Sequence, residues 1–77
     1  MQLIATRHYY DIHPATHEEF ELQDRMYRKA DGSFVLMIAG ELPGDPAVEK
    51  PYSLEGVFEW QRECPEQIEP VVVHGGT

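Results

Sequence analysis

Histidine and acidic side chains lie close together near the start of this chain and are the first candidates for metal chemistry. His8, His13 and His17 alternate with Asp11 and Glu18, and imidazole and carboxylate groups are common ligands of transition metals. A proline between His13 and His17 prevents one continuous helix from bringing these two rings together. No paired cysteines and no HExxH spacing accompany them. We therefore expect surface histidines and no bound metal.

Nucleophilic and acid–base chemistry is also poorly supported by the sequence. Cys64 has His74 downstream, but it lies at the predicted C-terminal end of a helix, where burial and the helix dipole both disfavour a thiolate. Glu55 and Glu59 would need an enclosing pocket to act as a catalytic carboxylate pair, and an exposed helix face provides none. The glycines form no phosphate-binding loop. The sequence predicts a protein that is not an enzyme and uses no cofactor.

The strongest pattern is a row of acids in the C-terminal half. Glu55, Glu59 and Glu63 recur every four residues, and Glu66 and Glu69 follow. Residues four apart share one face of a helix, where like charges repel by about 0.2–0.5 kcal/mol per pair. Solubility alone could explain such a face. We interpret it as a functional acidic surface, because the sequence accepts this cost with only one arginine in the same helix to offset it.

The overall charge indicates which partners this surface would attract. The chain has 14 Asp and Glu against 6 Lys and Arg, a formal net charge of -8 in 77 residues. Such a field attracts basic proteins and repels the phosphates of nucleic acids. We therefore expect a basic nucleic-acid-binding protein as the partner, and no direct binding to DNA or RNA.

Length and composition predict a single small domain over residues 1–77. The one cysteine cannot form an internal disulfide, and no signal segment opens the chain. The longest apolar run, Phe34 to Ala39, is too short to cross a membrane. These features predict a cytoplasmic protein with no membrane association.

The N-terminal half has the alternation of apolar and polar residues that is typical of strands. Asp-Gly is a common two-residue hairpin turn between such strands. The predicted elements are strands at Leu3 to Ile12, Glu19 to Lys29 and Ser33 to Glu41, with the turn at Asp31-Gly32.

A two-residue turn would pair Ala30 with Ser33 and place Met26 opposite Met37. Tyr27 would then face Leu36, and the third strand would be apolar on both sides. This register predicts an apolar second face of the sheet, on which a homodimer could form. Its residues are Tyr27, Phe34, Leu36 and Ile38.

Proline and glycine predict a loop over residues 42–52, after which one helix begins. Ser53 is a suitable N-cap, and Cys64 before Pro65 ends the helix. Ile68 to His74 is a last short strand, and residues 75–77 are a tail. The residues predicted to pack on the sheet are Leu54, Val57, Phe58, Gln61 and Cys64, with Trp60 at the edge of this arc.

These elements predict an α+β fold, an antiparallel sheet of three to four strands with one α-helix packed on one face, in the order β-β-β-α-β. In size, acidity and layout the chain resembles the small inhibitors that phages encode against host defence, above all the anti-CRISPR proteins. The resemblance implies a stoichiometric inhibitor in the host cytoplasm that binds a Cas protein or effector complex and blocks DNA access as a DNA mimic. The predicted contact residues are Glu55, Glu59, Glu63, Glu66 and Glu69, with Trp60, Tyr52 and Phe58 as aromatic anchors where they are exposed.

A second interpretation belongs to another class of protein. A small dimeric structural, assembly or regulatory module, of a phage particle or a toxin–antitoxin system, would use the apolar sheet face and would not need the acidic row.

Overall fold

The computed structural model describes residues 1–71, which form a five-stranded antiparallel sheet and one α-helix, so the fold is α+β. Across the sheet the strands are β4 (Val48–Tyr52), β3 (Phe34–Ile38), β2 (Glu19–Arg28), β1 (Gln2–Ile12) and β5 (Ile68–Pro70). The helix α1 (Leu54–Glu63) connects β4 to β5 through a short 3-10 turn at Pro65–Gln67. Within these residues, no helix has the length and apolar character needed to cross a membrane.

The sheet has one strand more than the predicted β-β-β-α-β order, because β4 lies in the segment predicted as a loop over residues 42–52. Proline cannot donate to a strand ladder and is tolerated on edge strands. Pro51 lies opposite Val35 on β4, which forms one edge of the sheet. Pro51 would therefore be unfavourable in a central strand, but it is compatible with the edge strand β4.

The β2–β3 hairpin has a three-residue loop instead of the predicted two-residue turn. The Lys29 amide donates to the Ser33 carbonyl at 2.8 Å, and the Gly32 amide donates to the Lys29 carbonyl at 3.0 Å. Gly32 has a φ of 88°, the left-handed conformation that three-residue hairpin loops require. The extra loop residue shifts the register by one position relative to the prediction.

This shift corrects the predicted second face. Met26 pairs with Leu36 and Tyr27 pairs with Val35, so the predicted pairs of Met26 with Met37 and of Tyr27 with Leu36 are wrong. Directly opposite residues lie on the same face of an antiparallel sheet. Leu36 therefore faces α1 and is buried. Tyr27 lies on the opposite face of the sheet, which α1 does not cover and which we call the open face. The four residues of the predicted dimer face do not share a face, since Phe34, Leu36 and Ile38 all belong to the core under the helix.

The helix has the predicted limits but a different rotation. The Ser53 hydroxyl accepts from the Gly56 amide at 3.0 Å, which confirms the N-cap, and Cys64 is the C-cap. The residues that pack on Ala5, Met26 and Leu36 are Val57 and Trp60. The predicted core positions Leu54 and Phe58 are instead 55% and 50% exposed.

The C-terminal part of the chain adds a short edge to the sheet. β5 ends at Pro70, and the Val71 amide continues the pairing by donating to the Ile4 carbonyl at 3.1 Å. The remainder of the predicted strand to His74 and the predicted tail lie outside the described residues.

Candidate interaction surface

The acidic row on α1 is present as a solvent-facing feature. Glu55, Glu59 and Glu63 occupy successive turns, and all three are exposed. The negative charge of Glu63 is the most compensated of the three, because its Oε2 lies 3.7 Å from the positively charged guanidinium of Arg7 on β1. At this distance, and with 65% of the Glu63 side chain exposed, the pair is weak and leaves most of the charge available to solvent.

The other two predicted acids do not extend this row. Glu66 is exposed on the 3-10 turn. Glu69 lies opposite Thr6, whereas its neighbour Ile68 lies opposite Arg7, and successive strand residues point to opposite faces. Glu69 therefore lies on the open face of the sheet, away from α1. The prediction of one surface formed by all five glutamates is wrong for Glu69.

Two of the three predicted aromatic anchors contact other side chains within the fold. Trp60 is only 2% exposed, and the Arg7 guanidinium lies 5.9 Å from its ring centre. Tyr52 is half-buried, and Lys50 Nζ lies 5.4 Å from the centre of its ring. The exposed large apolar residue pair on α1 is Leu54 and Phe58. Of the aromatic anchors considered, Phe58 is therefore the one available to a partner.

A buried ion pair beneath α1 was not anticipated from the sequence. Asp24 is 1% exposed, and its carboxylate accepts from Arg7 at 2.8 Å, from the Tyr9 hydroxyl at 3.1 Å and from the Ala39 amide at 2.9 Å. Burial, followed by the charge of Asp24, raises the pKa of Tyr9. These contacts hold β1, β2 and the end of β3 together. The sequence did carry a signal for this buried acid. In the alternating pattern of β2, Asp24 takes an inward position between Leu22 and Met26.

A second polar cluster lies on the open face. The two ring nitrogens of His8 lie 2.7 Å from Glu21 and 2.6 Å from Glu69. Only the protonated ring can donate at both nitrogens. The hydrogen bonds to Glu21 and then Glu69 raise the pKa of His8, and the hydrogen bond from His8 lowers the pKa of Glu21. The cluster connects β2, β1 and β5 at an exposed site.

The remaining histidine and cysteine candidates lie on separate elements of the part of the chain that the structure describes. Among residues 1–71, no three His, Cys, Asp or Glu side chains are placed to hold a metal ion. His8, which the sequence grouped with the loop histidines, is instead held by carboxylates from β2 and β5. Cys64 is half-buried at the end of α1, and His74 lies outside the described part of the chain.

Comparison with known proteins yields no relative: no protein-family model, no curated protein and no solved structure matches this chain. The functional argument therefore depends on the geometry and charge of the described residues.

Proposed function

We propose that this chain is a non-catalytic acidic binding protein that inhibits a nucleic-acid-binding protein by occupying its cationic surface. The observation that carries the proposal is the exposure of Glu55, Glu59 and Glu63 on successive turns of one helix. A helix rise of about 1.5 Å per residue separates these side chains by about 6 Å. That spacing is close to the distance between successive phosphates along one strand of a nucleic acid.

An apolar row beside the acidic row supports a protein partner. Leu54 and Phe58 are exposed next to Glu55 and Glu59, so apolar and acidic side chains form adjacent rows on α1. Arg62, in the last turn, is the one basic residue of α1 against three acids, so the helix keeps a net negative charge. Apolar side chains at the centre of a protein interface supply much of its binding energy, and charges around them set the rate and the choice of partner. A partner with a cationic groove and an apolar wall would be complementary to both rows of side chains.

The specific form of this proposal is an anti-CRISPR protein whose target is a Cas protein or effector complex. Lysine and arginine side chains line the channels that hold nucleic acid in such complexes. The glutamates of α1 would compete with DNA phosphates for these side chains, and the acidic chain would approach them rapidly through long-range attraction.

The test is displacement of a fluorescent DNA duplex from a panel of purified DNA-binding effector complexes, Cas complexes included. The variant is E55Q/E59Q/E63Q, and the control is E18Q/E19Q/E41Q, which removes the same charge from exposed sites outside α1. We expect the α1 variant to lose about tenfold or more in displacement and the control to lose much less. Direct binding of the chain to the complex, measured without DNA, should also weaken between about 50 and 200 mM salt, because it depends on attraction between opposite charges. Equal loss in both variants, or no salt dependence, contradicts the proposal.

The alternative, a dimeric structural, assembly or regulatory module, is favoured by a different observation. The open face of the sheet carries Tyr27 and Met37, both half-buried, and no element among residues 1–71 packs across it as α1 packs across the other face. This interpretation predicts no displacement of DNA from any complex in the panel.

A further inference from the structure

The edge strand β5 is held to the sheet by few contacts. It has three residues, of which Ile68 packs on the core and the other two are exposed. Among residues 1–71 it pairs with β1 alone, and the Val71 amide adds a hydrogen bond of 3.1 Å to the Ile4 carbonyl. Short edge segments open locally at a lower cost in free energy than central strands. The opening of β5 is therefore sensitive to a single further contact.

One side chain of the neighbouring strand supplies such a contact. His8 of β1 lies on the open face between two carboxylates, with Nε2 2.6 Å from Glu69 Oε2 on β5 and Nδ1 2.7 Å from Glu21 Oε1 on β2. An ionised carboxylate can only accept hydrogen bonds, so both contacts are hydrogen bonds only when both ring nitrogens carry a proton. The bridge across these strands therefore requires the positively charged ring.

We propose that His8 is a pH-sensitive clasp for β5: the protonated ring holds the strand against the sheet through Glu69, and loss of the proton lets the strand open more often. In the neutral ring, the nitrogen that faces Glu69 carries either a lone pair, which repels the carboxylate, or an N–H without the charge of the imidazolium. Because hydrogen bonds between charged groups are stronger than those of neutral donors, the contact weakens in both tautomers.

The two acids have different roles in this clasp. Glu69 lies on the strand that opens, so it carries the attachment. Glu21 lies on β2, which is paired on both sides, and its Oε1 also accepts from the Gln23 side chain at 3.0 Å. Glu21 therefore stays in place when β5 opens, and its effect is to set the pH at which His8 loses its proton.

The charges around His8 determine the direction of the pH dependence. The hydrogen bonds to Glu21 and then to Glu69 raise the pKa of His8 above its ordinary 6.5. The clasp is therefore closed below about pH 6.5 and opens as the pH rises through the higher pKa of the folded state. Among the described residues, the ring forms no hydrogen bond to the other charged side chains that neighbour it on the adjoining elements, which are Glu19 and Arg25 on the open face of β2 and Glu66 on the 3-10 turn.

The expected effect is small but measurable. The side chains of His8 and Glu69 are 30% and 71% exposed, so water and salt screen their attraction. We expect protonation of His8 to lower the opening equilibrium of β5 by about two- to fivefold. By linkage, docking of β5 strengthens proton binding to His8 by the same factor. The clasp can therefore be measured either as strand opening or as the titration of the ring.

The first test is the exchange of the Val71 amide proton with water, measured by NMR at about pH 6 and about pH 9. The variant E69Q keeps the shape of the side chain and removes its charge, without changing the residues that flank this amide. We expect the amide of E69Q to exchange about two- to fivefold faster than that of the wild type at about pH 6, and this ratio to fall toward one at about pH 9. The control E66Q removes an exposed charge from the adjacent 3-10 turn and should exchange like the wild type at both pH values.

Further variants assign the proton to His8. In an H8Q background, E69Q should change the Val71 exchange rate by a factor that does not depend on pH, whereas in an H17N background, which removes an exposed loop histidine, the pH dependence should remain. E21Q should move the NMR titration of the His8 ring to lower pH and move the opening of β5 with it.

The outcomes decide the proposal without reference to DNA displacement, because Glu69 lies on the open face, away from α1. A ratio of exchange rates near one at about pH 6, a ratio that is the same at both pH values, or equal effects of E66Q and E69Q overturns the clasp. Persistence of the pH dependence in the H8Q background also overturns it. In each case the proposed function would be unaffected, since its test depends on the glutamates of α1.

Discussion

Replacing the buried acid Asp24 should destabilise this fold more than replacing any exposed acid. Asp24 is 1% exposed and accepts hydrogen bonds from Arg7, Tyr9 and Ala39. The change D24A removes all three acceptor contacts and leaves the Arg7 guanidinium with only the distant Glu63 carboxylate at 3.7 Å. Removing one member of a buried ion pair costs about 3–5 kcal/mol. Because 24% of the Arg7 side chain reaches solvent, we expect a value near the lower limit, about 3 kcal/mol.

That loss is large for a chain of this size. Folded domains have roughly 0.05–0.15 kcal/mol of stability per residue, which is about 4–12 kcal/mol for 77 residues. D24A should therefore lose between a quarter and most of its free energy of unfolding. D24N keeps one oxygen acceptor but places an amide or an uncharged oxygen beside Arg7, so its loss should be smaller than that of D24A.

The assay is urea unfolding followed by the fluorescence of Trp60, the only tryptophan, which is 2% exposed in the fold. The matched control is E19A, an exposed acid on the same strand, for which we expect a change within about 0.5 kcal/mol. A D24A loss of less than about 1 kcal/mol, the contribution of one ordinary hydrogen bond, would refute the role given to this ion pair.

Two further predictions concern pH and close packing. The pKa of His8 is raised in the fold above its ordinary 6.5. Protonated His8 therefore contributes fully to the free energy of unfolding below about pH 6.5, and this contribution is lost as the pH rises through the higher pKa of the folded state. The difference in Tm between wild type and H8Q should therefore shrink between about pH 6 and pH 9, and a constant or growing difference would contradict the protonated bridge to Glu21 and Glu69. At Gly40, an added Cβ would overlap the Cβ of Asp45. G40A should lower the free energy of unfolding in urea by about 1–3 kcal/mol. The loss should be smaller when the same change is made in a D45G background. Equal losses in the two backgrounds would rule out this contact as the cause.

The limits of α1 were predictable because they depend on local chemistry. The Ser53 hydroxyl caps the first turn, and the residue before Pro65 leaves helical geometry at the other end. Alternation of apolar and polar residues likewise predicted β1 and β2 within one residue at each end. The strand β4 was missed because Pro51 is compatible with a strand only at an edge, and edge position is a property of the assembled sheet.

The candidate surface was predicted only in part for a similar reason. The four-residue spacing of Glu55, Glu59 and Glu63 was sufficient to predict a shared, exposed face. It could not predict the position of Glu69, which depends on the register of β5 against β1. Trp60 was equally undetermined, because its burial depends on the β1 residues beneath the helix.

The sequence by itself determined that this chain is acidic, that it forms an antiparallel sheet and that one capped helix carries three acids in a row. Only the tertiary structure decided which face each apolar residue occupies. Leu54, Val57, Phe58 and Trp60 spread over about 160° of the helix circumference, which is wider than the stripe that one contact buries, so the pattern allowed several rotations. Packing against Met26 and Leu36 selected Val57 and Trp60. The inclusion of Ala30 in the hairpin loop likewise exchanged the faces of β3, because side chains alternate along a strand and a shift of one residue reverses them all.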